Sequence, residues 1–168
     1  QSPLDLLEKI HEELDENDKR LVQTSLFLGI EMDPLKDNPQ QGDFLIRNIM
    51  GADRASGGIQ VGAMLREGQL VQFHLRDKDM SAEDLRLVLN RYKTEEHAKK
   101  ASGALLFSCL GRGQYLYGKP NHDSDMFRDQ LGDIPLGGFF CNGEIGPVGK
   151  TTFLHGYTSS FGIFHPTH

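Results

Sequence analysis

The stretch IPLGGFFCNGEIGPVGKTTFLHGY, residues 134–157, decides how the rest of the chain is read. It sets Gly137, Gly138, Gly143, Gly146, Gly149 and Gly156 among large apolar residues and places Cys141, Asn142, Glu144 and His155 in that background. Ordering a glycine costs conformational entropy, so repeated glycines mark positive φ angles, bulges, or a close approach by a ligand or a second chain. Two readings are open: tight turns joining short strands, or turns shaped around a small molecule. Residues 136–141 read as one strand, 142–149 as a turn and 152–164 as a final strand.

Upstream, GALLFSC at 103–109 is a continuous apolar run of strand length, the pattern of a strand covered on both faces. Leu110-Gly-Arg-Gly113 then turns, a loop carries Tyr115, Tyr117, Pro120, His122 and Asp123, and Ser124 or Asp125 caps a short helix ending near Gly132. Before that run, Ser81-Ala-Glu-Asp84 reads as a capping box, with Leu85, Val88, Leu89 and Tyr92 at helical spacing to about Lys100. Residues 70–76 alternate as a strand whose apolar face is Val71, Phe73 and Leu75; His74 and Arg76 opposite are either a solvated side or a pocket mouth.

Further toward the amino end, 43–50 and 59–61 form a hairpin around the turn at 51–58, and 25–32 is a strand followed by a loop marked by Pro34 and Pro39. A short helix covers 16–23. Ser2-Pro3 opens a first helix with Leu4, Leu7, Ile10 and Leu14 on one face. This order predicts an α+β fold, a mainly antiparallel sheet with helices packed on it, in a single domain over 1–168.

The formal net charge of −6 repels nucleic acid and anionic lipid, and no aromatic-interleaved basic stripe offsets it. No apolar run approaches the roughly 20 residues that span a bilayer. Two cysteines, Cys109 and Cys141, are too few for a disulfide framework and predict a reducing, cytoplasmic setting. Because the chain opens on Gln1 without a signal-peptide pattern, it is expected to be a piece of something longer.

Among chemical residues, Cys109 and Cys141 follow buried-looking runs and read first as small hydrophobes. A nucleophile built from either with His155 is the minority alternative. Cys109, Cys141, His122 and His155 are metal-ligand types, yet no short spacing joins any two on one element, so neither a metal nor a cofactor is expected. Gly149-Lys150-Thr151 has the ending of a phosphate loop without its upstream glycine, so nucleotide binding gains no support. Arg112 between Gly111 and Gly113, and Glu144 beside Gly143, pair with each other or hold the two ends of a ligand.

The blocks GDFLIRNIMGAD (42–53), VQFHLRD (71–77), ALLFSCLGRG (104–113), His122-Asp123, PLGGFFCNGEIGPVG (135–149) and FLHGYTSSFGIF (153–164) together resemble the C-terminal domain of the FIST family, the F-box and intracellular signal transduction proteins. The resemblance implies a sensory module for small ligands, amino acids or their derivatives among them. It also implies an N-terminal FIST-type domain absent from this chain. No established reaction comes with it. The residue reading and the resemblance meet at Cys109, Gly111, Arg112, Cys141, Asn142, Gly143, Glu144 and His155, with Arg112 taking a carboxylate and Glu144 an amine. The alternative is a protein-interaction module whose glycines serve packing.

Overall fold

The computed structural model describes residues 1–40, 42–95, 98–148 and 151–166. Ser2 caps helix α1, Pro3–Glu13: its hydroxyl accepts the Asp5 N–H at 3.2 Å and the Asp5 carboxylate accepts the Ser2 N–H in return. Asp15 caps α2, Glu16–Ser25, accepting the Asp18 N–H at 2.8 Å. Strand β1, Leu26–Glu31, follows with Phe27, Leu28 and Ile30 buried, as an apolar run flanked on both sides requires. Strands β2, Phe44–Asp53, β3, Gly58–Val61, and β4, Val71–Leu75, complete an antiparallel sheet in the order β3-β2-β1-β4. A bulge between Ile49 and Gly51 carries β2 on to Asp53, so the hairpin turn is shorter than the sequence suggests.

On β4 the alternation is softened. Val71 is 41% exposed, whereas His74, read as solvated or at a pocket mouth, is half-buried. The missing side chain at Gly29 makes room for it: a Cβ there would lie 2.4 Å from the imidazole, which also packs against the Phe44 ring at 5.1 Å. Burial holds His74 below the ordinary histidine pKa.

Residues from Lys78 onward form a second unit, distinct from Gln1–Asp77. Its first helix, α3, is Lys78–Lys93, so Ser81 lies inside the helix and not at its cap. Nothing in Lys78-Asp79-Met80 breaks a helix, and Asp79 in the first turn suits the helix dipole. The helix ends seven residues before Lys100, and a 3-10 turn, Ala98–Lys100, follows. Strand β5, Gly103–Cys109, then leads to a one-turn helix α4, Gln114–Tyr117, where the sequence suggests a loop. Helix α5, His122–Leu131, starts at Asn121, which adopts a left-handed φ of 60°, and not at Ser124 or Asp125. His122 and Asp123 therefore enter its first turn.

Strands β6, Leu136–Cys141, β7, Glu144–Val148, β8, Thr151–His155, and β9, Ser159–Phe164, end the chain. The single final strand expected over 152–164 is two. Tyr157, at φ 62°, reverses the chain so that β8 pairs with β7 and β9 with β5. Antiparallel pairing dominates, but β5 and β6 run parallel because the α4–α5 crossover returns the chain to the same end. The sheet order is β6-β5-β9. Leu85, Leu89, Ala104 and Phe127 form the core of this unit, with Leu136, Phe161 and Ile163 against them. Phe127 stacks on Phe161 at 5.3 Å, and burial of such a ring contributes about 1.5–3 kcal/mol. Helices with antiparallel-rich sheets give the α+β class.

Candidate functional site

The turn that ends β5 places Arg112 under the sheet end, its N–H bonded to the Cys109 carbonyl at 2.9 Å. The side chain is 7% exposed and meets Asp123, in the first turn of α5, fork on fork: Nε donates to Oδ2 at 2.8 Å and Nη2 to Oδ1 at 3.0 Å. Nη2 also donates to the Tyr117 hydroxyl at 2.6 Å and Nη1 to the Tyr157 carbonyl at 3.3 Å. Asp123 further accepts from Ser159 at 2.6 Å, Ser108 at 3.2 Å and His122 Nδ1 at 3.0 Å. Burial by itself would raise the Asp123 pKa, but the hydrogen bonds and charge of Arg112, aided by Ser159 and His122, hold it at about 2. Burial likewise opposes charge on Arg112, and Asp123 more than offsets it. The Tyr117 hydroxyl is pushed up to about 12, chiefly by burial. Its ring stacks on His122 at 3.5 Å and 11°.

Beside this network a cleft of about 360 Å³ opens between β6 and the start of α5. Leu106 and Ser108 of β5, residues 136–140 of β6, Gly113 and residues 121–124 line it. Open parallel strands bind ligands outside their carboxyl ends, and the β5–β6 pair offers that position. Two glycines shape it. Gly138 has φ 149°, and a Cβ there would lie 1.9 Å from the Leu106 carbonyl oxygen; Gly113, at φ 62°, lies under the Phe140 ring. Close approach of backbone is what these glycines supply.

The residues singled out from sequence fall into two groups. Gly111 and Arg112 stand in the turn after β5, and Arg112 pairs with Asp123, not with Glu144. Glu144, 3% exposed, instead accepts the Thr158 hydroxyl at 2.7 Å and the Cys141 thiol at 3.3 Å. Asn142 and Gly143 turn the chain there, and His155, opposite Glu144 in the β7–β8 register, bonds through Nε2 to the Gly146 carbonyl at 3.1 Å. Cys109 is buried and in register with Cys141. Burial first, and then the Glu144 carboxylate, push the Cys141 thiol up, the reverse of what a nucleophile needs. Neither thiol is hydrogen-bonded to an imidazole among the described residues. Nor, among those residues, do three His, Cys, Asp or Glu side chains gather as a metal site. The Gly149-Lys150 pair lies outside the described residues.

The sequence offered His122 as a metal-ligand type and the His122-Asp123 pair as part of the resemblance, placed Tyr117 in the same loop without a role, and gave no sign of Ser108 or Ser159 as partners. A signal was present: a buried arginine in Gly-Arg-Gly needs an anion, and Asp123 is the next acid along the chain.

Among the described residues no helix is long and apolar enough to cross a membrane. The chain is 41% identical over 162 residues to an uncharacterized protein of Mycobacterium bovis, covering 96% of this chain and 42% of that protein. An uncharacterized protein of Mycobacterium tuberculosis is 42% identical over the same proportions of the two chains. The chain thus spans less than half the length of these relatives. F-box only protein 22 of Homo sapiens is 31% identical over 108 residues, 54% of this chain and 27% of that one. This F-box relative fits a domain of signal-transduction type. The model of the FIST C domain matches residues 4–147, and on that match the chain belongs to the FIST C domain family.

Proposed function

We propose that this chain is the small-ligand-binding part of a cytoplasmic sensory protein, and that the ligand occupies the cleft between β6 and α5. The observation that carries the reading is the cleft itself: largely apolar walls, a few polar side chains at one end, and a buried ionic network fixing those side chains in place. Arg112 acts as the support of Asp123 and His122, its charge already met. Glu144 similarly holds the β7–β8 hairpin to the loop before β9 through Thr158. Uncharged derivatives of amino acids are the first ligand class to try, because the resemblance implies amino acids or their derivatives and the charges beside the cleft already meet one another.

A thermal-shift screen against that class tests the reading. A ligand at 100 times its dissociation constant adds about 2.7 kcal/mol of stability. Ser124→Trp, which places an indole in the cleft, should abolish the response while the protein stays folded. A response undiminished by that substitution would place the site elsewhere.

A second reading has its own support. Ile145 is 76% exposed and Leu154 61% exposed, opposite one another on the β7–β8 hairpin. Such a pair suits docking to a protein partner, for which the N-terminal FIST-type domain is the first candidate.

A further inference from the structure

We propose that His122 is the recognising group of the cleft and that it selects a small uncharged ligand with an apolar body and one N–H or O–H donor. The inference rests on the reading of the cleft as a binding site and adds the chemistry of what enters it.

The imidazole is held on two sides, by the Tyr117 ring at 3.5 Å and by Asp123 at Nδ1, 3.0 Å. Asp123 is ionised by its fork with Arg112 and is therefore acceptor-only, so the proton between them belongs to Nδ1. A neutral imidazole with its proton on Nδ1 carries a lone pair on Nε2. That atom has no hydrogen-bond partner among the described residues, and the ring, 8% exposed, lines the cleft.

The remaining polar side chains point to the same ligand chemistry. Ser108 gives its proton to Asp123 Oδ2, and Ser124 gives its proton to the Asn121 carbonyl. Asp123 accepts five hydrogen bonds and has no capacity to spare. Among its side chains the inner wall presents acceptors: the Nε2 lone pair and two hydroxyl oxygens. Asn121, whose amide offers both donors and acceptors, stands at the exposed rim. Leu106, Leu136, Phe139 and Phe140 supply apolar contact for the ligand body. Arg112 and Asp123 cancel one another behind the wall, so an ionised ligand would lose hydration with no countercharge to meet it.

Three probes of one shape decide it: 4-methylphenol, 4-methylanisole and 4-methylbenzoate, titrated into the full chain. The readouts are the backbone amides of Gly137 and Gly138 and the side-chain nitrogen resonances of His122. The phenol should bind about threefold to tenfold tighter than the anisole, as one neutral hydrogen bond allows, and should move Nε2. His122→Phe, which keeps a flat ring on Tyr117, should bind the anisole as before and lose the preference. Equal binding of phenol and anisole at the cleft amides would overturn the role of His122 while leaving the cleft as a site. Tightest binding by the benzoate would overturn it in favour of an anion at the first turn of α5. If no probe moves the cleft amides, both this inference and the cleft reading fall. Should His122→Phe not fold, the comparison of the three probes on the native chain decides alone.

Discussion

The guanidinium of Arg112 and the carboxylate of Asp123, eleven residues apart in the chain, share two parallel hydrogen bonds of 2.8 and 3.0 Å in a setting almost closed to solvent. Both charges are desolvated, so each is tolerated because of the other. Removing one partner leaves the other buried and uncompensated. Asp123→Asn should cost about 3–5 kcal/mol of stability, read from urea denaturation at neutral pH. A loss under 1 kcal/mol would mean that water reaches the pair.

The same carboxylate sets an acid dependence. Its folded pKa, about 2, lies below the ordinary 3.8, so the stability it confers is complete above the ordinary value and disappears as the pH falls from about 4 to about 2. Urea midpoints of the native chain should drop across that window, and the drop should be smaller in Asp123→Asn. Parallel pH profiles of the two proteins would contradict the assignment.

Gly138 tests whether backbone approach requires glycine. A Cβ at that position meets backbone and not a movable side-chain tip, at 1.9 Å from the Leu106 oxygen. Gly138→Ala should destabilise by on the order of 3 kcal/mol. Gly137→Ala, whose Cβ would make ordinary contact with Leu105 at 3.6 Å, should cost far less. Equal thermal midpoints for the two variants would remove the distinction.

At the core of the second unit, Phe127 is 1% exposed and stacked on Phe161. Phe127→Ala should cost about 3–5 kcal/mol, whereas Leu154→Ala on the exposed hairpin should stay within about 0.5 kcal/mol. Chemical denaturation of both checks the contrast.

Cys141 donates its thiol proton to Glu144 and is held in the protonated form by burial and by that carboxylate. Alkylation by iodoacetamide at pH 7.5 should be slow and should accelerate about threefold to tenfold in Glu144→Gln, since the thiolate is the reacting species. Peptide mapping gives the rate at Cys141. An unchanged rate would show that Glu144 does not govern the thiol.

What the sequence determined by itself was local. Ser2 before Pro3, and the Leu4, Leu7 and Ile10 spacing, specify the start and inner face of α1 through backbone capping and helical period, which need no distant residue. The apolar run at 103–109 likewise announced a strand, although Leu105 on one face stays 37% exposed. Tertiary structure decided everything that depends on a partner far along the chain. The anion for Arg112 was chosen by where the crossover puts Asp123, and the crossover also fixed the parallel direction of β6 beside β5. Tyr157 broke one apparent strand into two because β8 and β9 pair with different neighbours. The cleft arises from the same arrangement: its walls come from β5, β6 and the start of α5, whose side chains meet only after the chain has folded back. Propensity and period are read from neighbours in sequence, whereas charge pairing and strand direction are settled by neighbours in space.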